Sequence, residues 1–282
     1  MEYKLVCIDM DGTLLNSRHK VTEYTKEILR KTHDKGVHIV ISTGRIYTDA
    51  EHYSNLIGVR SPVIASNGAV IKEKDEDEVI YKSVLDESLS IKILNICTKY
   101  NVAPVFYTPH RLYCGNLLVI SYYYTAKLRG LMSKKIELEY ICFSNKWSNI
   151  LHREKNNIVK CEVYHKNEDK LRKIRSELKN IKDIEVVSSS KYNIEITCKG
   201  VSKGRAVEIL TNYYNLKNEE VITIGDSEND LSMIEYAGLG IAMGNAIDIV
   251  KEKAGYVTDL NDNEGVAKAI NKFILRDVDF IK

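Results

Sequence analysis

The chain has no Cys-x-x-Cys pair and no His-Glu-x-x-His motif. Its six cysteines, Cys7, Cys97, Cys114, Cys142, Cys161 and Cys198, stand at least 17 positions apart, which excludes zinc-finger spacing. Most lie in apolar runs and read as small, reduced hydrophobic residues. The seven histidines are scattered, so a histidine-centred metal site has no support. An excess of one charge sign is missing as well: 41 Lys+Arg stand against 39 Asp+Glu, a net of +2. A nucleic-acid binder would carry a strongly basic footprint instead. The longest stretch without Asp, Glu, Lys or Arg, residues 112–126, has 15 residues and includes Asn116 and Ser121. A bilayer span needs about 20. Asp9 and Asp11 follow the opening strand-like run so closely that it does not read as a signal peptide. The expectation is a cytoplasmic protein with neither a membrane nor a nucleic-acid partner, a monomer or weak homo-oligomer. Repeats, low-complexity tracts and Gly/Ser linkers are absent too.

What is present is an ordinary globular composition, 44% hydrophobic and 28% charged. A chain this long buries about three-quarters of its extended-state surface. Residues 4–8 form a short apolar run typical of a buried parallel strand. Residues 22–35 read as a helix capped by Thr22 and stopped at Gly36, and residues 37–42 as a second strand. A second helix follows Gly44 to about Leu56, and residues 62–65 are a third strand; Asn67-Gly68 marks a turn before residues 69–72. The rhythm returns with a helix at 202–214, a strand at 221–224, a short helix at 230–236 and a strand at 239–242, then helices at 246–253 and 264–275. This alternation implies an α/β fold with a parallel sheet covered on both faces.

Between the two blocks, residues 83–198 have an α+β texture. Helices are expected at 86–100 and 168–178, strands at 103–107, 112–114 and 159–164, and a hairpin from 184–187 and 192–196. Nine of the 18 tyrosines fall here and read as strand residues. Charge divides along the same line, with a net of +7 in residues 83–198 and −5 in the remainder. The expectation is an acidic, cation-holding core with a basic inserted part that attracts an anionic substrate.

Four short motifs carry chemistry. Asp9-Met10-Asp11-Gly12-Thr13 follows the first strand, at the edge where open α/β proteins place their ligands. Two carboxylates two residues apart can divide labour, one attacking or holding a cation and the other moving a proton. Ser42-Thr43-Gly44-Arg45 follows the second strand and opens a helix, a setting that suits an anion. Lys203, in Gly200-Val201-Ser202-Lys203-Gly204, sits in the first turn of a helix, where a cation opposes the dipole. Gly225-Asp226-Ser227-Glu228-Asn229-Asp230 ends another apolar strand with hard oxygen donors that suit Mg²⁺. Residues 259–270 fail as a calcium loop, with Glu264 in place of glycine and Ile270 in place of glutamate.

In this order the four motifs resemble those of the haloacid dehalogenase superfamily, and within it the Cof-type phosphatases. The resemblance extends over about residues 4–269, with Ser66-Asn67-Gly68-Ala69, Ile194-Glu195-Ile196 and Gly265-Val266-Ala267 fitting as well. It implies a Rossmann-like parallel-sheet core, residues 1–82 and 199–282, with an inserted α+β cap, residues 83–198, that sets substrate specificity. It further implies that Asp9 attacks phosphorus and Asp11 acts as acid and then base. Mg²⁺ would be held by Asp9, the Asp11 backbone carbonyl and Asp226, with Asp230 orienting the metal shell or Lys203. Thr43, Lys203 and Asn229, with Gly44, would hold the phosphoryl group; Arg45 and Asn67 would point toward cap and substrate. The implied partner is a small phosphorylated metabolite, such as a sugar phosphate. A sugar phosphomutase with the same nucleophile and a non-catalytic phospho-ligand sensor are the alternatives.

Overall fold

The computed structural model describes residues 2–74, 78–142 and 146–276. The first block runs β1 (Leu5–Ile8), α1 (Glu23–Asp34), β2 (His38–Ser42), α2 (Tyr47–Ile57), β3 (Val63–Ala65), β4 (Val70–Lys72) and β5 (Val79–Lys82). Next come α3 (Glu87–Lys99), β6 (Val105–Tyr107), β7 (Arg111–Cys114), α4 (Leu117–Leu128), β8 (Glu137–Tyr140), α5 (Lys146–Arg153), β9 (Lys160–Tyr164), α6 (Glu168–Leu178), β10 (Ile184–Val187) and β11 (Asn193–Cys198). The last block holds α7 (Lys203–Tyr213), β12 (Val221–Gly225), α8 (Leu231–Tyr236), β13 (Leu239–Ala242), α9 (Asp248–Lys253), β14 (Tyr256–Val257) and α10 (Gly265–Ile270).

The first and last blocks build one eight-stranded sheet, ordered β14-β13-β12-β1-β2-β3-β4-β5. It is parallel from β14 to β3, and β4 and β5 extend it antiparallel. Every residue of β1 is buried because both faces are covered. Leu5 and Cys7 pack under α7 with Val207 and Leu210, whereas Val6 and Ile8 join the cluster containing Ile28 and Leu29 of α1. Thr22 caps α1 as expected, its hydroxyl accepting the Thr25 N–H at 3.1 Å.

The middle block forms a second, six-stranded sheet, ordered β10-β11-β9-β6-β7-β8, antiparallel except for the β7–β8 pair. Its strands alternate. Phe106, Cys161, Val163, Ile194 and Ile196 face a core with Ile93 of α3, Trp147 of α5 and Ile174 of α6. Tyr107, Lys160, Glu162, Asn193 and Glu195 have opposite parity on the same strands, and they are buried too.

Several boundaries differ from the sequence expectation. The helix expected to open at Gly44 begins at Tyr47, with Ile46 as an N-cap that makes no side-chain bond. Thr43 is not a helix cap; its hydroxyl accepts the Arg45 N–H at 3.1 Å within a turn. The uncharged stretch resolves into β7 and the twelve-residue α4, which takes Tyr122, Tyr123 and Tyr124 out of the strands. Among the described residues no helix is long and apolar enough to cross a membrane. The last expected helix ends as α10 plus a wider turn, Asn271–Leu275. None of the six cysteines is in a disulfide.

Candidate active site

Strand register assembles the site. Ile8 pairs with Ile41 on one side and with Ile224 on the other, so Asp9, Ser42 and Gly225 reach one sheet edge together. The Asp9 N–H still donates to the Ile224 carbonyl at 3.0 Å, which fixes the carboxylate at the end of the ladder. Thr43 and Asp226 come one residue later. Gly12 takes φ +82°, and a Cβ there would stand 2.6 Å from Asp226 Oδ2. Thr13 donates its hydroxyl to Asp226 Oδ1 at 2.8 Å. The Gly and Thr of the first motif therefore serve to dock the carboxylate of the fourth.

Lys203 is fully buried at the start of α7, whose N-cap Ser202 accepts the Arg205 N–H. Its Nζ donates to Asp9 Oδ1 at 2.5 Å and to Asp230 Oδ1 at 2.6 Å. Burial pulls the ammonium pKa down, but Asp230 and Asp9 outweigh it and the net shift is upward, so the group stays charged. That ion triad explains a cation set against the helix dipole. Asp230 Oδ2 meanwhile accepts the N–H groups of Asp226 and Ser227 at 2.9 and 3.0 Å, holding the loop that carries Asp226.

Burial and repulsion from Asp230 push Asp9 well above the usual carboxylate range, with Lys203 opposing. The same two causes push Asp226 up to about 6, against Thr13 and Ser227. One oxygen from each of Asp9, Asp226 and Asp230 lies within 4.8 Å of the others. An all-carboxylate donor set of this kind fits a hard cation, whose charge would relieve that repulsion. The Asp11 side chain is not part of the cluster. It accepts both Nε and Nη2 of Arg45, at 2.7 and 2.6 Å. Burial acts to raise Asp11, but the guanidinium wins and holds it below the usual range. Arg45 Nη1 also reaches buried Asp49 at 2.7 Å and the Leu131 carbonyl at 3.2 Å, and Asp49 in turn accepts the Ser133 N–H at 2.7 Å.

A cavity of about 320 Å³ opens at this edge. Asp9, Asp11, Thr43, Gly44, Arg45 and Asn229 line it. Lys203, Asn67 and Asp230 are buried behind it, and Asp226 stands beside Asp9. Asn67 does not open onto the cavity: its Nδ2 donates to Glu195 Oε2 at 2.7 Å and its Oδ1 accepts from Asn229 at 3.2 Å.

The far wall comes from the second sheet and α4, and sequence reasoning passed over it. Lys160, Glu162, Asn193 and Glu195 belong to that wall, with Tyr107 and Tyr123. The available signal was β9 itself, where Lys160, Glu162 and Tyr164 alternate with Cys161 and Val163; such a pattern ordinarily reads as a solvated face. The +7 of residues 83–198 is not expressed here. Among the described residues, Lys160 is the only Lys or Arg of that segment lining the cavity, against two carboxylates.

The family model for haloacid dehalogenase-like hydrolases matches residues 6–270. The chain is 31% identical over 275 residues to the 5-amino-6-(5-phospho-D-ribitylamino)uracil phosphatase YcsE of Bacillus subtilis, covering 98% of this chain and 97% of that protein. It is 34% identical over 277 residues to the putative phosphatase YxeH of the same organism, covering 97% and 99%. A solved haloacid dehalogenase-like hydrolase from B. subtilis matches with a TM-score of 0.84 at 28% identity, covering 96% of this chain and 100% of that one.

Proposed function

The chain belongs to the haloacid dehalogenase-like hydrolases and is a phosphoric monoester hydrolase, and from that premise we propose that it dephosphorylates a small metabolite through an aspartyl-phosphate on Asp9. The observation that carries this reading is Asp9 itself, a carboxylate that ends a buried parallel strand and opens onto the cavity with Lys203 fixed on one of its oxygens. With Oδ1 so held, Oδ2 is the atom that attacks phosphorus in line. As the bond to the leaving alcohol breaks, Asp11 supplies its proton; Asp11 then takes a proton from the water that releases phosphate and restores Asp9. Arg45 must leave Asp11 before that carboxyl can carry a proton, and an incoming phosphate dianion is the group that would draw it away.

Thr43, Gly44 and Asn229 would hold the phosphoryl oxygens, with Lys203 keeping the acidic pocket from repelling them. Asn67 acts through Asn229 and Glu195. Mg²⁺, held by Asp9, the Asp11 carbonyl and Asp226, would supply the further positive charge that a dianion beside these carboxylates requires. Residues 1–82 and 199–282 serve as the catalytic core and residues 83–198 as the specificity cap. The phosphorylated ribitylamino-uracil in the name of the B. subtilis relative supports a small phosphorylated metabolite as the substrate.

Asp9→Asn should abolish Mg²⁺-dependent turnover of p-nitrophenyl phosphate, and retained activity would remove Asp9 from the nucleophile's place. Hexose 1-phosphate should give free phosphate; conversion to hexose 6-phosphate would make the protein a mutase.

A further inference from the structure

The second sheet buries a polar face, and burying polar groups is costly unless each finds a partner. Those partners follow a pattern. Lys160 Nζ donates to the Gly44 carbonyl at 2.7 Å and to Glu195 Oε1 at 2.9 Å, and stands 3.4 Å from Glu162 Oε2. An ammonium has three hydrogens, so this one has none left for a ligand. Glu162 accepts the Tyr107 hydroxyl at 2.5 Å and the Asn193 amide at 2.7 Å, and Tyr164, two residues on along β9, lines the same wall. The Tyr107 proton lies on Glu162, so Tyr123, 2.8 Å from the Tyr107 oxygen, donates to that oxygen. Burial first, and then Glu162, push the phenols of Tyr107 and Tyr123 upward, so both keep their protons.

Protons in this cluster therefore run inward to one carboxylate, and the phenol oxygens are left with lone pairs for a ligand. The same wall carries two carboxylates and one committed cation.

We propose that Glu162, with Tyr107, Tyr123 and Tyr164, makes the cap wall an acceptor surface that selects leaving groups rich in hydrogen-bond donors, polyhydroxy or amino-bearing, and rejects those with a second anionic group. This rests on the phosphatase reading of Asp9 and adds to it the chemistry of the alcohol released.

The test uses the full chain with Mg²⁺ and p-nitrophenyl phosphate as reporter substrate. Glucose 6-phosphate, glucosamine 6-phosphate and 6-phosphogluconate are compared as competitors, whether or not they are themselves hydrolysed. In the wild type, 6-phosphogluconate should compete roughly tenfold or more weakly than the other two, as a like charge a few ångströms from a partly screened carboxylate requires. Glu162→Gln should narrow that ratio several-fold and Glu162→Asp should preserve it. The readout is a ratio within each enzyme, so a general loss of activity cancels. Equal competition by all three in the wild type, competition by none, or an undiminished ratio in Glu162→Gln would each overturn the proposal. Absence of p-nitrophenyl phosphate turnover by the wild type would instead overturn the phosphatase reading, and the proposal with it.

Discussion

Lys203 is a fully buried ammonium, kept there by two carboxylates. Taking such an ion out of water costs several kcal/mol, so neither Asp9 nor Asp230 can be lost without leaving a poorly compensated charge. The carboxylate side of the site is over-supplied with negative charge, and this has a thermodynamic consequence. Asp226 is pushed up to about 6, and Asp9 well above its ordinary value, whereas an unfolded aspartate titrates at about 3.9. The folded chain thus binds more protons than the unfolded chain between those values. The stabilisation from protonation is fully present below about pH 4 and is lost as pH rises through about 6 for Asp226. In chelator, the wild type should therefore gain more melting temperature than Asp226→Asn when pH is lowered from about 7.5 to 5. Saturating Mg²⁺ should shrink that difference, because cation and proton compete for the same oxygens. Equal pH dependence of the two proteins in chelator would count against the strained carboxylate.

At the scale of elements, α7 and the turn after β3 are in closest approach at Gly68. Its φ is +96°, and a Cβ would lie 2.4 Å from the carbonyl oxygen of Ser202, the cap of α7. Gly68→Ala should cost more than about 1 kcal/mol from backbone conformation alone. It should also lower kcat, because the turn of α7 that moves is the one bearing Lys203. Gly130→Ala is the control: φ is +72° but nothing lies within 4 Å, so stability should fall while kcat holds. Melting curves and steady-state rates on both variants distinguish the outcomes. Elements of the parallel core were legible because β1, β2 and β12 are apolar, β-branched runs ended by Asp9, Thr43 and Gly225, and Thr22 and Ser202 mark helix starts in standard fashion. The beginning of α2 was not, since Thr43 turns its hydroxyl to Arg45 and the true cap, Ile46, carries no signal. Nor was α4, where Leu117, Leu118 and Leu128 are exposed and no amphipathic stripe forms. That Asp9, Asp11, Thr43 and Asn229 would share one edge of the sheet was legible because each stands within four residues of the end of β1, β2 or β12, which are neighbours. Glu162 and Asn193 were missed because only tertiary packing turns a polar strand face inward.

For the whole molecule, the two sheets meet through polar contacts at the cavity and through an ion pair beside it. Arg175 of α6 pairs with Glu228, between Asp226 and Asn229 in the loop after β12, and also donates to Ser188. The pair is partly exposed, so it contributes at most about 1 kcal/mol. Arg175→Gln should accordingly raise KM by about 2–5-fold with kcat little changed, and the difference from wild type should fade at high salt. A loss in kcat at constant KM would show that the pair shapes the catalytic loop rather than the docking of the second sheet. The alternation along β9 also bears on how the chain finds its fold. Sliding β9 by one residue against β6 and β11 would turn Lys160 and Glu162 under α3 and α6, where the neighbours are Ile93 and Ile174. It would bring Cys161 and Val163 to the cavity. Moving these charges into an apolar layer, away from Glu195, Asn193 and the Gly44 carbonyl, costs more than the pairing such a slip could retain, so misaligned sheets are disfavoured during folding by the side chains that face the cavity. Neutralising that face for a new ligand would loosen strand alignment as well, and folding yield would set the limit on such redesign.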